Sequence, residues 1–241
     1  MITIERRVWA DNSRFKRFAQ RIKAEHAALE STSGTKIGFR FLYGPIATLN
    51  DPNGNVVLGI NPGPEADLTN RLYVPQTAYY SEDWNDSEYQ SHVRAFMQAA
   101  WSFAAIDNWR KAWDESLTAN LIPFRSRGFA ELQEARRCVK FGCELWRDIF
   151  AEIGPRAIIA FGGPPATAIL ELLHDSGWRP SLLQTYPAKQ PKTKAELYSF
   201  DGPRGEGRAL LAPHYARGHG VRRPDLLRAM AAAIAPFLRH S

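Results

Sequence analysis

Hydrophobic positions along this chain switch between a helical and a strand-like period. Phe15, Phe18, Ala19, Ile22 and Leu29 recur at helical spacing and predict an amphipathic helix from about Ser13 to Glu30, with Asn12 or Ser13 as its cap. Phe39–Tyr43 reads as a short strand or an extended lead-in, followed by a turn at Asp51-Pro52-Asn53-Gly54. Val56 to Ile60 is an unbroken aliphatic run and predicts a buried strand. Three further strands are predicted at Ser116–Pro123, Ala157–Phe161 and Arg208–Ala212. Between them fall helices marked by Val93, Phe96, Met97, Ala100 and Trp101, by Leu132 to Ile153, and by Ala166 to His174. A closing helix is predicted from Pro224 to Leu238, with Pro in its first turn. Glu65 to about Asp86 is a long polar and aromatic loop. Gly177 to Gly207 reads as loop-rich, with Tyr198-Ser199-Phe200 as a short strand. Strands alternating with helices predict an α/β fold of three layers, α/β/α, around a central four-stranded, mainly parallel sheet, with a helical extension over about residues 1–50.

Composition narrows this picture only a little. A chain of 241 residues suits one α/β domain. The net charge of +6 permits a polyanionic partner without demanding one. No apolar run approaches the roughly 20 residues that span a bilayer, and Met1 to Arg7 lacks the apolar core of a signal peptide, so the expected location is cytoplasmic. Cys138 and Cys143 lie five apart in one helix and point to different faces, which suits reduced, structural thiols. Two thiols are too few for an iron–sulfur cluster or a closed zinc site, and nothing near His214 and His219 completes a ligand set. Neither a metal nor a cofactor is expected.

The chemistry sits where the strands stop. Each of the four predicted strands runs into a pointed segment: Asn61 within Gly59-Ile60-Asn61-Pro62-Gly63-Pro64, Asn120 before Leu121 to Arg127, Gly162-Gly163-Pro164-Pro165, and His214. In a parallel sheet these ends share one edge, the edge where ligands bind. An Asn carries an acceptor and a donor pair in one planar group, so it can orient a water or read a pyrimidine edge. A His can donate to an oxygen that gathers negative charge. Backbone N–H groups at a Gly-rich helix start favour phosphate, and Arg125, Arg127, Arg217, Arg222 and Arg223 add positive charge to the rim. Taken singly, each has a plain structural reading: an Asn in a turn, a surface His, solvated arginines, a tight strand-to-helix turn. Their placement at four strand ends favours a site.

The segment Gly59–Pro64 resembles the first motif of the uracil-DNA glycosylase superfamily, nearest its mismatch-specific and single-strand-selective monofunctional branches. His214, Asn120 and Gly162-Gly163 fall in the order of that superfamily's catalytic His, base-reading Asn and phosphate-contacting turn. The resemblance implies hydrolysis of the N-glycosidic bond of uracil or a related deaminated base, flipped from DNA, in base excision repair. It implies that Asn61 positions the water and His214 stabilises the departing base. Ile60 and Asn120 would contact the base, with Tyr73, Tyr79 or Tyr80 stacking on it and Tyr73 the favoured ring. Gly63, Arg125, Gly162, Gly163 and Arg217 would hold phosphate or DNA. The implied partner is single-stranded or mismatched DNA, the implied state a monomer without cofactor. After His214 the family's Pro-Ser-Pro wedge is replaced by Tyr215-Ala216-Arg217-Gly218-His219-Gly220, a basic Gly-flexible loop without the element that aids duplex insertion. Two other readings fit the same residues: a catalytically silent nucleic-acid-binding protein on this fold, and a hydrolase of free nucleosides or nucleotides.

Overall fold

The structure is a computed structural model that describes residues 13–50, 54–63, 70–82, 88–187, 194–213 and 224–238. In chain order its helices are α1 (Ser13–Ser33), α2 (Ala78–Ser81), α3 (Glu88–Phe103), α4 (Trp109–Asp114), α5 (Ala135–Ile153), α6 (Gly163–Asp175) and α7 (Pro224–Ile234). Its strands are β1 (Asn55–Gly59), β2 (Leu117–Asn120), β3 (Ala157–Phe161), β4 (Ser181–Pro187), β5 (Lys194–Gly202) and β6 (Gly205–Ala212). They form one sheet in the order β2-β1-β3-β6-β5-β4. β2, β1, β3 and β6 run parallel; β5 and β4 are antiparallel to their neighbours.

Side-chain alternation along the parallel strands builds two cores, because successive residues face opposite sides of a sheet. Val56, Leu58, Ile158, Ala160, Ala209 and Leu211 pack with Ile22 and Leu29 of α1, Leu145 and Trp146 of α5, and Ile169 and Leu173 of α6. Val57, Ile159, Phe161, Leu210 and Ala212 pack with Phe96 and Met97 of α3, Trp113 of α4, and Met230 and Ile234 of α7. The sheet therefore lies between two helical layers. α1 belongs to the first of these layers. It is tied to α5 by Arg14 and Arg17 on Glu152, Arg21 on Asp148 (2.6 Å) and Glu25 on Arg137 (2.5 Å).

The expected four strands become six. The region read as loop-rich holds the β4–β5 hairpin, paired to β6 through Glu196–Leu211 and Leu197–Leu210. β4 is exposed along nearly all its length, with only Tyr186 buried, so it shows no burial pattern for a sequence to reveal. Its pairing with β5 shifts register between Leu182 and Gln184, and Leu182 and Leu183 stand about half exposed. On the opposite side, Phe39 to Leu42 adds a row of bridges beside β2, with Leu42 opposite Ala119 and Phe39 opposite Phe124. Arg71 lies one row further out, alongside Arg40. The turn predicted at Asp51-Pro52-Asn53 lies outside the described residues. No helix among the described residues is long and apolar enough to cross a membrane.

α5 meets the end of β2 at very short range. A Cβ added at Gly142 would stand 2.5 Å from the carbonyl oxygen of Leu121, a backbone atom that cannot swing away. Gly142→Ala is therefore expected to lower the urea midpoint of unfolding. The clash costs about 1–3 kcal/mol, more than the roughly 1 kcal/mol of helix propensity that Ala recovers. An unchanged or raised midpoint would contradict this packing.

Candidate active site at the carboxyl edge of the sheet

The parallel order β2-β1-β3-β6 reverses direction between β1 and β3. The chain leaves β1 through α3 and α4 on one layer towards β2, and leaves β3 through α6 on the other. Such a reversal opens a crevice beyond the carboxyl ends of the two strands, the usual ligand position in open α/β sheets. Asn61 follows β1, Gly162 follows β3, and Asn120 ends the neighbouring β2 directly opposite Gly59. Three of the residues singled out from sequence thus share one edge. The chain leaves β6 at that same edge through buried Pro213; His214 and Arg217 lie outside the described residues.

Asn61 has a fixed orientation. Its Nδ2 donates to Pro62 O at 3.0 Å and to Ser126 Oγ at 2.8 Å. Ser126 Oγ spends its own proton on Gly128 O, 2.8 Å away, so it must accept from Asn61. Both partners being acceptors, the amide cannot be flipped, and its carbonyl Oδ1 points elsewhere with no donor among the described residues. Two more bonds clamp this turn to the chain after β2: Ser126 N to Pro62 O at 3.2 Å and Arg125 Nη1 to Gly63 O at 3.0 Å. Arg125, expected on the rim, is buried and serves as one side of the clamp. Ile60 is half-buried, and its carbonyl accepts from Ile122 N at 2.9 Å, which continues the β1–β2 ladder past both strand ends.

Asn120 is buried, and its backbone carbonyl is held by Trp146 Nε1 at 3.0 Å. No described residue bonds its side-chain amide. That amide lies across β1 in the space a side chain at residue 59 would fill. A Cβ at Gly59 would collide with Oδ1 of Asn120 and stand 3.4 Å from its Cγ, with the hydroxyl of Tyr89 at 3.7 Å. Tyr89, on the first turn of α3, was not singled out from sequence. Its helix carries a hydrophobic stripe that gives no sign of what its first turn meets.

The tyrosines sort differently from the sequence expectation. Tyr79 is buried and stacks on Trp113 (5.3 Å between rings), and Tyr80 packs edge-on against Trp109. Tyr73 stands at the outer edge of the sheet with its ring against Phe15 of α1, away from the α3 face where Asn120 and Tyr89 meet. The hydroxyls of Tyr79 and Tyr89 are 3.4 Å apart. Burial raises both phenols. Burial pushes Tyr89 up to about 12, with its bond to Tyr79 pulling the other way and Tyr43 adding to the rise. Tyr79 is raised further by Tyr89 beside it.

Gly162 precedes α6 at φ 120° and ψ 150°, a conformation open essentially only to glycine. It bonds Ala212 O through its N–H at 2.8 Å, and Gly163 begins the helix with two prolines behind it. Among the described residues no group of three His, Cys, Asp or Glu is placed to hold a metal. Cys138 is buried and Cys143 partly so, both as free thiols; burial pushes Cys138 up to about 11. No family model matches the chain. The curated proteins likewise contain no match to it.

Two outcomes follow from this geometry. Gly59→Ala should displace the Asn120 amide, a side-chain end that can rotate where backbone cannot, while leaving the fold within about 1 kcal/mol of the wild type. A crystal structure with Asn120 unmoved would refute that. Second, absorbance titration near 295 nm should show Tyr79 and Tyr89 still protonated when exposed tyrosines ionise. Since the folded state holds these protons more tightly than the unfolded chain, their contribution to stability is complete below pH 10. The share of Tyr89 should be lost as pH rises from 10 through about 12. Tyr89→Phe should flatten that decline.

Proposed function

We propose that this chain hydrolyses the N-glycosidic bond of uracil or a related deaminated base in DNA. The observation that carries the reading is the pair of strand-end amides at the switch point. One, Asn61, has its donors tied down and its carbonyl without a donor among the described residues; the other, Asn120, ends β2 with an amide that no described residue bonds. An amide left open on both its donor and its acceptor side can exchange bonds to solvent for bonds to a base edge that matches both. Cytosine, with the opposite pattern, would leave the groups unpaired and be rejected.

In this reading Asn61 Oδ1 accepts a hydrogen bond from the attacking water and aims its oxygen at the sugar carbon, to which that oxygen bonds while the water's proton passes to solvent or to the departing base. The carbon–nitrogen bond breaks, and the base departs with the electron pair of that bond. His214, the residue after Pro213 in sequence, donates a hydrogen bond to the base oxygen on which charge collects. Tyr89, sharing the face of Gly59 with Asn120, borders the base more closely than Tyr73. Gly162, Gly163 and Arg217 remain proposed contacts to the DNA backbone.

The test is release of free base from single-stranded and duplex oligonucleotides carrying uracil, hypoxanthine or xanthine. Asn61→Ala and His214→Ala should each slow release about 10²–10⁴-fold while leaving unfolding transitions in place. Absence of release from every substrate overturns the proposal. Salt-dependent DNA binding that persists in both variants without release would assign the fold to binding alone. Turnover confined to mononucleosides would assign it to free nucleosides.

A further inference from the structure

A groove of about 640 Å³ opens between α1 and the outermost row of the sheet, away from the paired amides. Lys23, His26, Phe39, Asn70, Arg71 and Tyr73 line it. Tyr73 offers an exposed aromatic face (47% accessible), held by an edge contact with Phe15 at 5.7 Å and 89°. Lys23 has no carboxylate partner among the described residues. Arg71 donates Nη1 to Glu82 at 3.2 Å, yet its side chain remains 45% exposed. Asn70 accepts from Phe39 N through Oδ1 at 3.1 Å, which turns its amide N–H pair away from that bond. His26 is buried beneath, engaged by the Ile37 carbonyl. None of the described residues that line the groove is a carboxylate.

From this arrangement we infer that the groove is a stacking platform for a nucleotide of single-stranded DNA flanking the one in the active site. The inference rests on the glycosylase reading for the identity of the strand. A flat ring beside two cations, one of them shared with Glu82, and an amide donor that no described residue engages matches a base over Tyr73 and its phosphate against Lys23 and Arg71. Duplex DNA does not fit this chemistry, because its base faces are hidden in the stack.

Position supports the same assignment. The row from Phe39 to Leu42 runs beside β2 and on past its carboxyl end, where Phe39 faces Phe124 and Arg125 N bonds Gly38 O at 2.9 Å. The next residue, Ser126, holds Asn61. Gly63 and Asn70 are seven residues apart, so groove and site lie within about 25 Å of each other along the edge. That is within reach of one short strand. Tyr73 is thereby moved from the base pocket, where sequence placed it, to the track leading from it.

The test is fluorescence anisotropy with a labelled, uracil-free oligothymidylate at low salt, beside base release from a uracil-containing strand. Tyr73→Ala should weaken oligothymidylate binding about ten-fold or more, and Tyr73→Phe should restore it. Lys23→Ala should lower the slope of log K against log salt by about 0.7. Equal affinity of wild type and Tyr73→Ala, or no binding by the wild type, overturns the platform even if base is released. Tyr73-dependent binding without base release sustains the platform and sinks the glycosylase reading instead. Superimposable thermal transitions keep the variants comparable.

Discussion

The carboxyl edge of this sheet depends on a space that residue 59 leaves empty. Any side chain there would drive into Asn120, whose amide lies across β1 because the two residues face each other in register. Around that space the fold is stiff. Trp146 holds the backbone of Asn120 from the α5 layer, the ladder continues through Leu121 and Ile122, and Gly142 brings α5 onto the Leu121 carbonyl. A helix able to approach a strand end this closely fixes where the strand stops, and so fixes what its last side chain can reach.

A second constraint couples the turns after β1 and β2 into one body. Three bonds from Arg125 and Ser126 reach the side chain of Asn61 and the carbonyls of Pro62 and Gly63. The cluster is polar and partly shielded, with Arg125 and Pro62 buried, so its donors count for more than they would in water. Further out, buried Arg40 forms a two-pronged pair with Glu82 (2.7 and 2.8 Å) and lies over the ring of Tyr43 at 4.1 Å. Glu82 also accepts from Arg71. A removed partner there would strand a buried guanidinium, a change of several kcal/mol in other proteins.

The parallel strands were legible in sequence because they are buried on both faces and read as unbroken apolar runs, as in Val56 to Leu58 and Ala157 to Phe161. The outer hairpin was not, since solvent leaves β4 free of any periodic demand. For the site, strand-end position located Asn61, Asn120 and Gly162, because topology alone carries those ends to one edge. Arg125 shows the limit: its charge suggested a rim contact, whereas burial against Gly63 follows from the path of the chain after β2. Ser126 and Tyr89 carried no local signal, each being defined by a neighbour more than twenty residues away. The packing of Tyr73 on Phe15 was not legible, since nothing local announces that its loop adds a further row to the sheet.

The register shift in β4 has a bearing on how molecules of this chain meet one another. An open edge strand carrying Leu182 and Leu183 without a single charge is the kind of border onto which stray strands are templated. The irregularity between Leu182 and Gln184 interrupts the regular run of the hairpin at those residues. A bulged, locally twisted border offers a poor match to a second straight strand. The register shift thus makes β4 a less regular template at the very residues where it carries leucines rather than lysines.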